Sequence, residues 1–204
     1  MKKIIAFLVG FIFSITAFAD MNSPVTMIQN TANQLMQQLS AHQAVLHSPK
    51  ADAFIRQLVN KQVVPIIDTY RMAGSVVGRA YWNQATPAQR NQFIEQFKRL
   101  VISTYSAALA SYDDDKVVVY PLRNSATNNH AVRVRSEIIR KNGQHIPIVY
   151  DLSKTSNGWK VYDFSIESVS ITESYRSQFA GTLSQGGLPN LITKLKAHNQ
   201  RIAA

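Results

Sequence analysis

The side chains that could do chemistry in this sequence are few and poorly grouped. Five histidines, His42, His47, His130, His145 and His198, include no i,i+4 pair, and no carboxylate recurs beside them at ligand spacing, so a metal site has no donor set to draw on. The chain has no cysteine, which removes disulfides, thiolate metal sites and cysteine nucleophiles together. Asp113-Asp114-Asp115 lacks the alternating ligands and closing Glu of a calcium loop and reads as a solvated turn. Asp163 and Glu167 lie four apart where a strand is expected to run into a helix. Such a carboxylate pair suits acid–base work, but no catalytic partner stands beside it in sequence. There is no G-x-S-x-G elbow and no phosphate-binding G-x-x-x-x-G-K-[ST] loop. Gly186-Gly187 reads as the end of one helix before the start of another rather than as a phosphate cradle.

What the chain has in quantity is apolar surface. Of 204 residues 46% are hydrophobic and 17% charged, with 22 basic against 12 acidic groups and a net charge of +10. That excludes a disordered chain and suits a single domain with a real core. Lys2 and Lys3 precede an apolar stretch from Ile4 to Ala17, and Ala17-Phe18-Ala19 stands before Asp20. A basic start, a short apolar run and a small-x-small site predict a secretory signal peptide over residues 1–19, cleaved after Ala19. The run is shorter than the roughly 20 residues a spanning helix needs. Residues 20–204 then form one exported α+β domain. Setting aside Lys2 and Lys3, that domain keeps a net charge of +8. An exported chain seldom meets nucleic acid, so its basic charge points to anionic lipid headgroups or acidic protein surfaces instead.

Residues 20 to about 112 carry helical signals. Ser23-Pro24 is an N-cap followed by Pro, and Val25, Ile28, Ala32, Leu35 and Leu39 share one face. Ser48-Pro49 repeats the start signal, Pro65 interrupts, and Met72, Val76 and Val77 carry an apolar face to Gly78. Thr86-Pro87-Ala88-Gln89 is a capping box, with Phe93, Phe97, Leu100, Val101, Thr104, Tyr105 and Ala108 on one wide face behind it. After Tyr112 the period changes to two. Strands are expected over 117–122, 132–139, 146–152 and 159–167, with Asn142-Gly143 as a hairpin turn and Ser156-Asn157-Gly158 as the next. Helix returns over 170–184, breaks at Gly186-Gly187 and restarts near Leu188-Pro189. The fold class is α+β: a helical N-terminal half, a four-stranded twisted antiparallel sheet and C-terminal helices packed on one face.

Strand alternation and the helical face bring Val132, Val134, Ile138, Ile146, Ile148 and Tyr150 opposite Phe97, Val101 and Tyr105. These residues either fill a core or line an apolar pocket left where a twisted sheet curls around a helix, and residue types alone do not separate the two.

Two motifs bear on that choice. Gly78-Arg79-Ala80-Tyr81-Trp82, then Ala85-Thr86-Pro87-Ala88-Gln89-Arg90, Phe93, Phe97, Tyr105 and Leu109 resemble the first signature of the MlaC family of phospholipid-binding, or toluene-tolerance, proteins. Asn157-Gly158-Trp159-Lys160-Val161-Tyr162-Asp163, then Ile166-Glu167-Ser168-Val169-Ser170, Tyr175-Arg176 and Phe179 resemble the second, about 75 residues on. The resemblance covers essentially the whole chain. It departs at Ser168, where the family usually has Gly; a positive φ there would strain Ser.

The resemblance implies a periplasmic lipid shuttle without metal, nucleotide or covalent chemistry, its only bound group a phospholipid as cargo. The acyl chains lie in a pocket between sheet and helices and the headgroup stays outside. Such proteins carry lipid between an outer-membrane lipoprotein–porin complex and an inner-membrane ABC transporter complex with its MCE-type subunit, which maintains outer-membrane lipid asymmetry, generally in the retrograde direction. The expected pocket lining is Phe97, Val101, Tyr105, Val132, Val134, Ile138, Ile146, Ile148, Tyr150, Phe164 and Val169, chosen by face, with motif support for Phe97, Tyr105 and Val169. Trp82, Trp159 and Tyr162 read as structural. Two rival readings use the same surfaces: a periplasmic interaction module or holdase for outer-membrane proteins, and a cone-shaped enzyme of the steroid-isomerase type using Asp163 or Tyr150.

Overall fold

The computed structural model describes residues 23–122 and 130–203, so the expected signal peptide lies outside the described residues. Helix α1 (Pro24–Ala41) starts where Ser23 Oγ accepts a hydrogen bond from Thr26 N at 3.1 Å. The short α2 (Gln43–Leu46) follows, then α3 (Ala51–Gln62) and a 3₁₀ turn, Val64–Ile66, begun by Pro65. Next come α4 (Thr69–Val77) and α5 (Arg79–Gln84). Gly78 joins them at φ +82°, a conformation that strains any side chain. Helix α6 (Pro87–Ala110) opens with the full capping box: Gln89 N donates to Thr86 Oγ1 at 3.2 Å and Thr86 N to Gln89 Oε1 at 2.9 Å.

The sheet is an antiparallel meander in chain order: β1 (Lys116–Val119), β2 (Ala131–Ile139), β3 (His145–Thr155), β4 (Gly158–Ile166) and β5 (Val169–Ser170). It has five strands where the alternation predicts four, because a two-residue hairpin after Ile166 folds the chain back for one more ladder step, Ile166 opposite Val169. Both turn residues, Glu167 at φ +50° and Ser168 at φ +69°, are left-handed, as a type I′ hairpin demands. Ser168 therefore stands where Gly is free of strain. Ser168→Gly is expected to raise stability by about 0.5–1 kcal/mol, read as a higher midpoint in urea at unchanged slope. Between β2 and β3, Arg140 N donates to Gln144 O at 2.9 Å, with Gly143 at φ +84°. The acidic turn is solvated at Asp113, whose pairing with Lys141 at 3.0 Å is exposed, but Asp115 is buried against Arg140 at 2.7 Å, contrary to expectation.

Helix α7 (Ile171–Ala203) carries the expected break, with non-helical backbone at Gly186 and Gly187. Asp163 ties it to the sheet. Its carboxylate accepts from Ser170 Oγ at 2.6 Å and from the backbone nitrogens of Thr172 at 3.1 Å and Phe164 at 2.8 Å. That is a cap on the first turn of α7, and it leaves little of the carboxylate for acid–base work. Asp163→Ala is expected to cost about 2–3 kcal/mol, with unfolding at correspondingly lower urea.

The apolar interior does not form one mass. A cluster joins α4, α5, α6 and α7 through Met72 and Val76 of α4 and the aromatic rings of Trp82, Phe93, Phe97, Tyr175 and Phe179. A second cluster packs Leu39 and Leu46 on Ile55, Leu58 and Tyr112, and a third seats Ile28 of α1 on Val134, Leu152 and Val161 of the sheet.

Candidate functional site

A half-enclosed cavity of about 310 Å³ occupies the space between these three clusters. That volume lies at the lower end of the range for ligand pockets, roughly 300–1,000 Å³. Its wall comes from one face of α1, the α3–3₁₀ segment, the inner face of α6 and the concave face of the sheet. Thr31, Thr69, Lys98, Tyr105 and Tyr150 are the lining residues with polar side chains among those described, and Lys98 is engaged with Glu95 at 2.9 Å. An interior of this kind has little to offer a charge and much to offer a hydrocarbon chain.

Strand pairing sets which side chains reach it. Val117 stands opposite Ile138, Ile148 opposite Ile166 and Tyr150 opposite Phe164, all on the concave face. Between Asp151 and Leu152 the β3–β4 register slips by a bulge, so Leu152 meets Val161 instead of Tyr162. Even-numbered Phe164 and Ile166 and odd-numbered Val161 consequently share one face. Exposure grades along it: Val161 and Ile28 are buried at one end, while Ile138, Ile148 and Ile166 remain half-exposed at the other.

Seven of the eleven expected residues line the cavity: Phe97, Val101, Tyr105, Ile138, Ile148, Tyr150 and Phe164. Four do not. Val134 is fully buried beneath Ile28, and Val132 packs against the same cluster, because α1 crosses the sheet there and fills the space. Ile146 lies beyond Ile148 next to the β2–β3 turn, outside the wall. Val169 is 58% exposed on the terminal strand β5, which has a neighbour on one side alone. The part of the lining that comes from α1 and the α3–3₁₀ segment lies outside the expected set: Ile28, Ala32 and Leu35 of α1, and Val59, Val63 and Ile67 near the 3₁₀ turn. For α1 the spacing of three and four marks that face in the sequence.

The tyrosines of this region are neutral. Burial pushes the Tyr150 phenol above its ordinary value. Burial does the same for Tyr105, with a smaller push from nearby Tyr175. Trp82 is structural, edge-on to Tyr70 at 5.1 Å and to Phe93 at 6.4 Å, and Tyr162 carries the Arg71 guanidinium 3.6 Å above its ring. No group of three or more histidine, aspartate or glutamate side chains placed to hold a metal occurs among the described residues, and none of the described helices is long and apolar enough to cross a membrane.

Comparison with known proteins gives a consistent picture. The chain is 29% identical over 193 residues to the intermembrane phospholipid transport system binding protein MlaC of Haemophilus influenzae, covering 93% of this chain and 87% of that one. It is 28% identical over 165 residues to the toluene tolerance protein ttg2D of Pseudomonas putida, covering 81% and 75%. Among solved structures, the phospholipid-binding protein of Ralstonia solanacearum in complex with a phospholipid superposes with a TM-score of 0.80 at 32% identity, over 88% of this chain and 98% of that one. The profile of the family described as MlaC protein matches residues 29–197; with most of its length and both of its motifs accounted for, the chain belongs to the MlaC family.

Proposed function

We propose that this protein is a periplasmic phospholipid carrier. It holds acyl chains in the cavity between α1, α6 and the sheet while the headgroup stays in water. One observation carries the reading: a half-enclosed, almost wholly apolar cavity in a fold shared with a relative solved with a phospholipid bound. Each methylene moved out of water gains about 0.8 kcal/mol, so ten give about 8 kcal/mol, enough to hold a lipid that cannot cross an aqueous gap alone. A phosphate gains nothing from such a wall, so affinity resides in the tails and several headgroups are tolerated.

The partners we infer are an outer-membrane lipoprotein–porin complex and an inner-membrane ABC transporter complex with its MCE-type subunit, between which the carrier exchanges lipid. Tight holding and ready release conflict unless a partner favours a second, open arrangement of the cavity. The net positive charge of the chain suits approach to anionic membrane surfaces.

Mass spectrometry of protein purified from cells without detergent tests the reading. The expected result is a stoichiometric adduct in the native spectrum that is released on denaturation as a phospholipid. A clean apo mass with no uptake from liposomes would overturn it and favour an interaction module.

A further inference from the structure

Of the seven strand residues that line the cavity, Tyr150 alone carries a polar side-chain atom. Behind it stands a second hydroxyl. Ser136 lies on the same face of the sheet, opposite Ile148 and diagonal to Tyr150 across the β2–β3 ladder. Ser136 is 2% exposed, and its Oγ has no hydrogen-bond partner among the described residues. Buried hydroxyls are nearly always paired, so this orphan calls for a partner close by. The two hydroxyls are near enough to influence one another without forming a hydrogen bond. Rotation of the Ser136 hydroxyl lets it donate to the Tyr150 phenolic oxygen, which leaves the phenolic hydrogen free to point into the cavity.

The depth is informative. Tyr150 sits two residues further along β3 than half-exposed Ile148, about 7 Å deeper, and still short of fully buried Val161. A donor at this depth, in an apolar wall, fits an uncharged acceptor. A phosphate is too costly to bring there, and hydrocarbon has no acceptor to offer. The group that joins the two parts of a glycerophospholipid is the ester, whose carbonyl oxygen is a strong, neutral acceptor. Burial keeps the phenol protonated, and hence a donor, well above neutral pH.

We propose that the Tyr150 hydroxyl, oriented by Ser136, donates a hydrogen bond to an ester carbonyl of the bound lipid, so that the carrier distinguishes ester-linked from ether-linked chains. The inference rests on the phospholipid reading above. It assigns the hydrophobic wall to affinity and the Tyr150 hydroxyl to the linkage and to how deep the lipid sits.

The test is competition. Lipid-stripped protein is incubated with vesicles containing equal amounts of diacyl and dialkyl-ether phosphatidylglycerol of matched chain length, and the bound ratio is read by mass spectrometry. The expected ratio is about fivefold in favour of the ester, which one net hydrogen bond of about 1 kcal/mol gives. Tyr150→Phe, which keeps the ring, brings the ratio to about one through weaker binding of the ester lipid, with binding of the ether lipid as the reference. Ser136→Ala lowers the bias in the same direction and folds normally, since it removes an unpaired hydroxyl. A ratio of one in the unaltered protein, or a bias that survives Tyr150→Phe, overturns the proposal with the carrier reading intact. Failure to load either lipid overturns the carrier reading and this inference with it.

Discussion

Ile148→Glu leaves the chain folded and strips it of bound lipid. Ile148 lies on the concave face between Ser136 and Ile166, half-exposed, so a carboxylate placed there reaches water when the cavity is empty. The strand ladder around it is unaffected, and a stability change within about 1–2 kcal/mol follows. With acyl chains in place the same carboxylate must be dehydrated against hydrocarbon or take up a proton, at a cost of several kcal/mol. Lipid occupancy is therefore expected to fall more than about 100-fold. The neighbouring Val149→Glu provides the contrast, because Val149 points to the outer face opposite Arg135 and its substitution leaves loading unchanged. Comparable loading by Ile148→Glu and the unaltered protein would contradict the face assignment.

The largest effect on stability belongs to Phe93→Ala. Phe93 is fully buried, stacked on Phe97 at 5.5 Å and edge-on to Trp82 at 6.4 Å and to Phe179 at 6.3 Å. Its ring thus fixes α6 against α5 and α7, with little freedom for neighbours to collapse into the gap. Removing it is expected to cost about 3–5 kcal/mol, a fall in Tm of roughly 6–20 °C for a domain of this size. The consequence reaches the cavity, since Phe97, Val101 and Tyr105 project from the same helix. A loss below about 1 kcal/mol in urea unfolding would mean that α6 is held chiefly by other contacts.

These two sites also mark what the sequence reveals by itself and what it does not. Elements bounded by local chemistry were legible. The Thr86–Gln89 capping box opens α6, the Asn142-Gly143 turn joins β2 to β3, and Gly186-Gly187 breaks α7 where expected. Each depends on a few adjacent residues and on backbone preferences that act at short range. The cavity depends on distant parts. Val134 and Ile148 share an alternation pattern and a face, yet one is sealed by Ile28 and the other opens to the cavity, a difference set by where α1 crosses the sheet. The bulge at Asp151/Leu152 changes which β4 residues point inward, and nothing in the residue types of β4 announces it. Asp163 reads as a possible proton carrier until Ser170 and Thr172 are seen to use it as a cap. The strain foreseen at Ser168 was legible through the family pattern, and its φ of +69° gives the cause.

Acyl chains carried as proposed lie against the concave sheet and α6, with their ends toward Val161 and Ile28. The most direct test is photocrosslinking with a phospholipid carrying a diazirine at the end of one acyl chain, followed by mapping of the modified peptides. Adducts concentrated on the closed end of the cavity, around Ile28, Met72 and Val161, are the predicted result. Adducts confined to the outer face of the sheet around Arg133 and Arg135, or spread evenly over the surface, would contradict it.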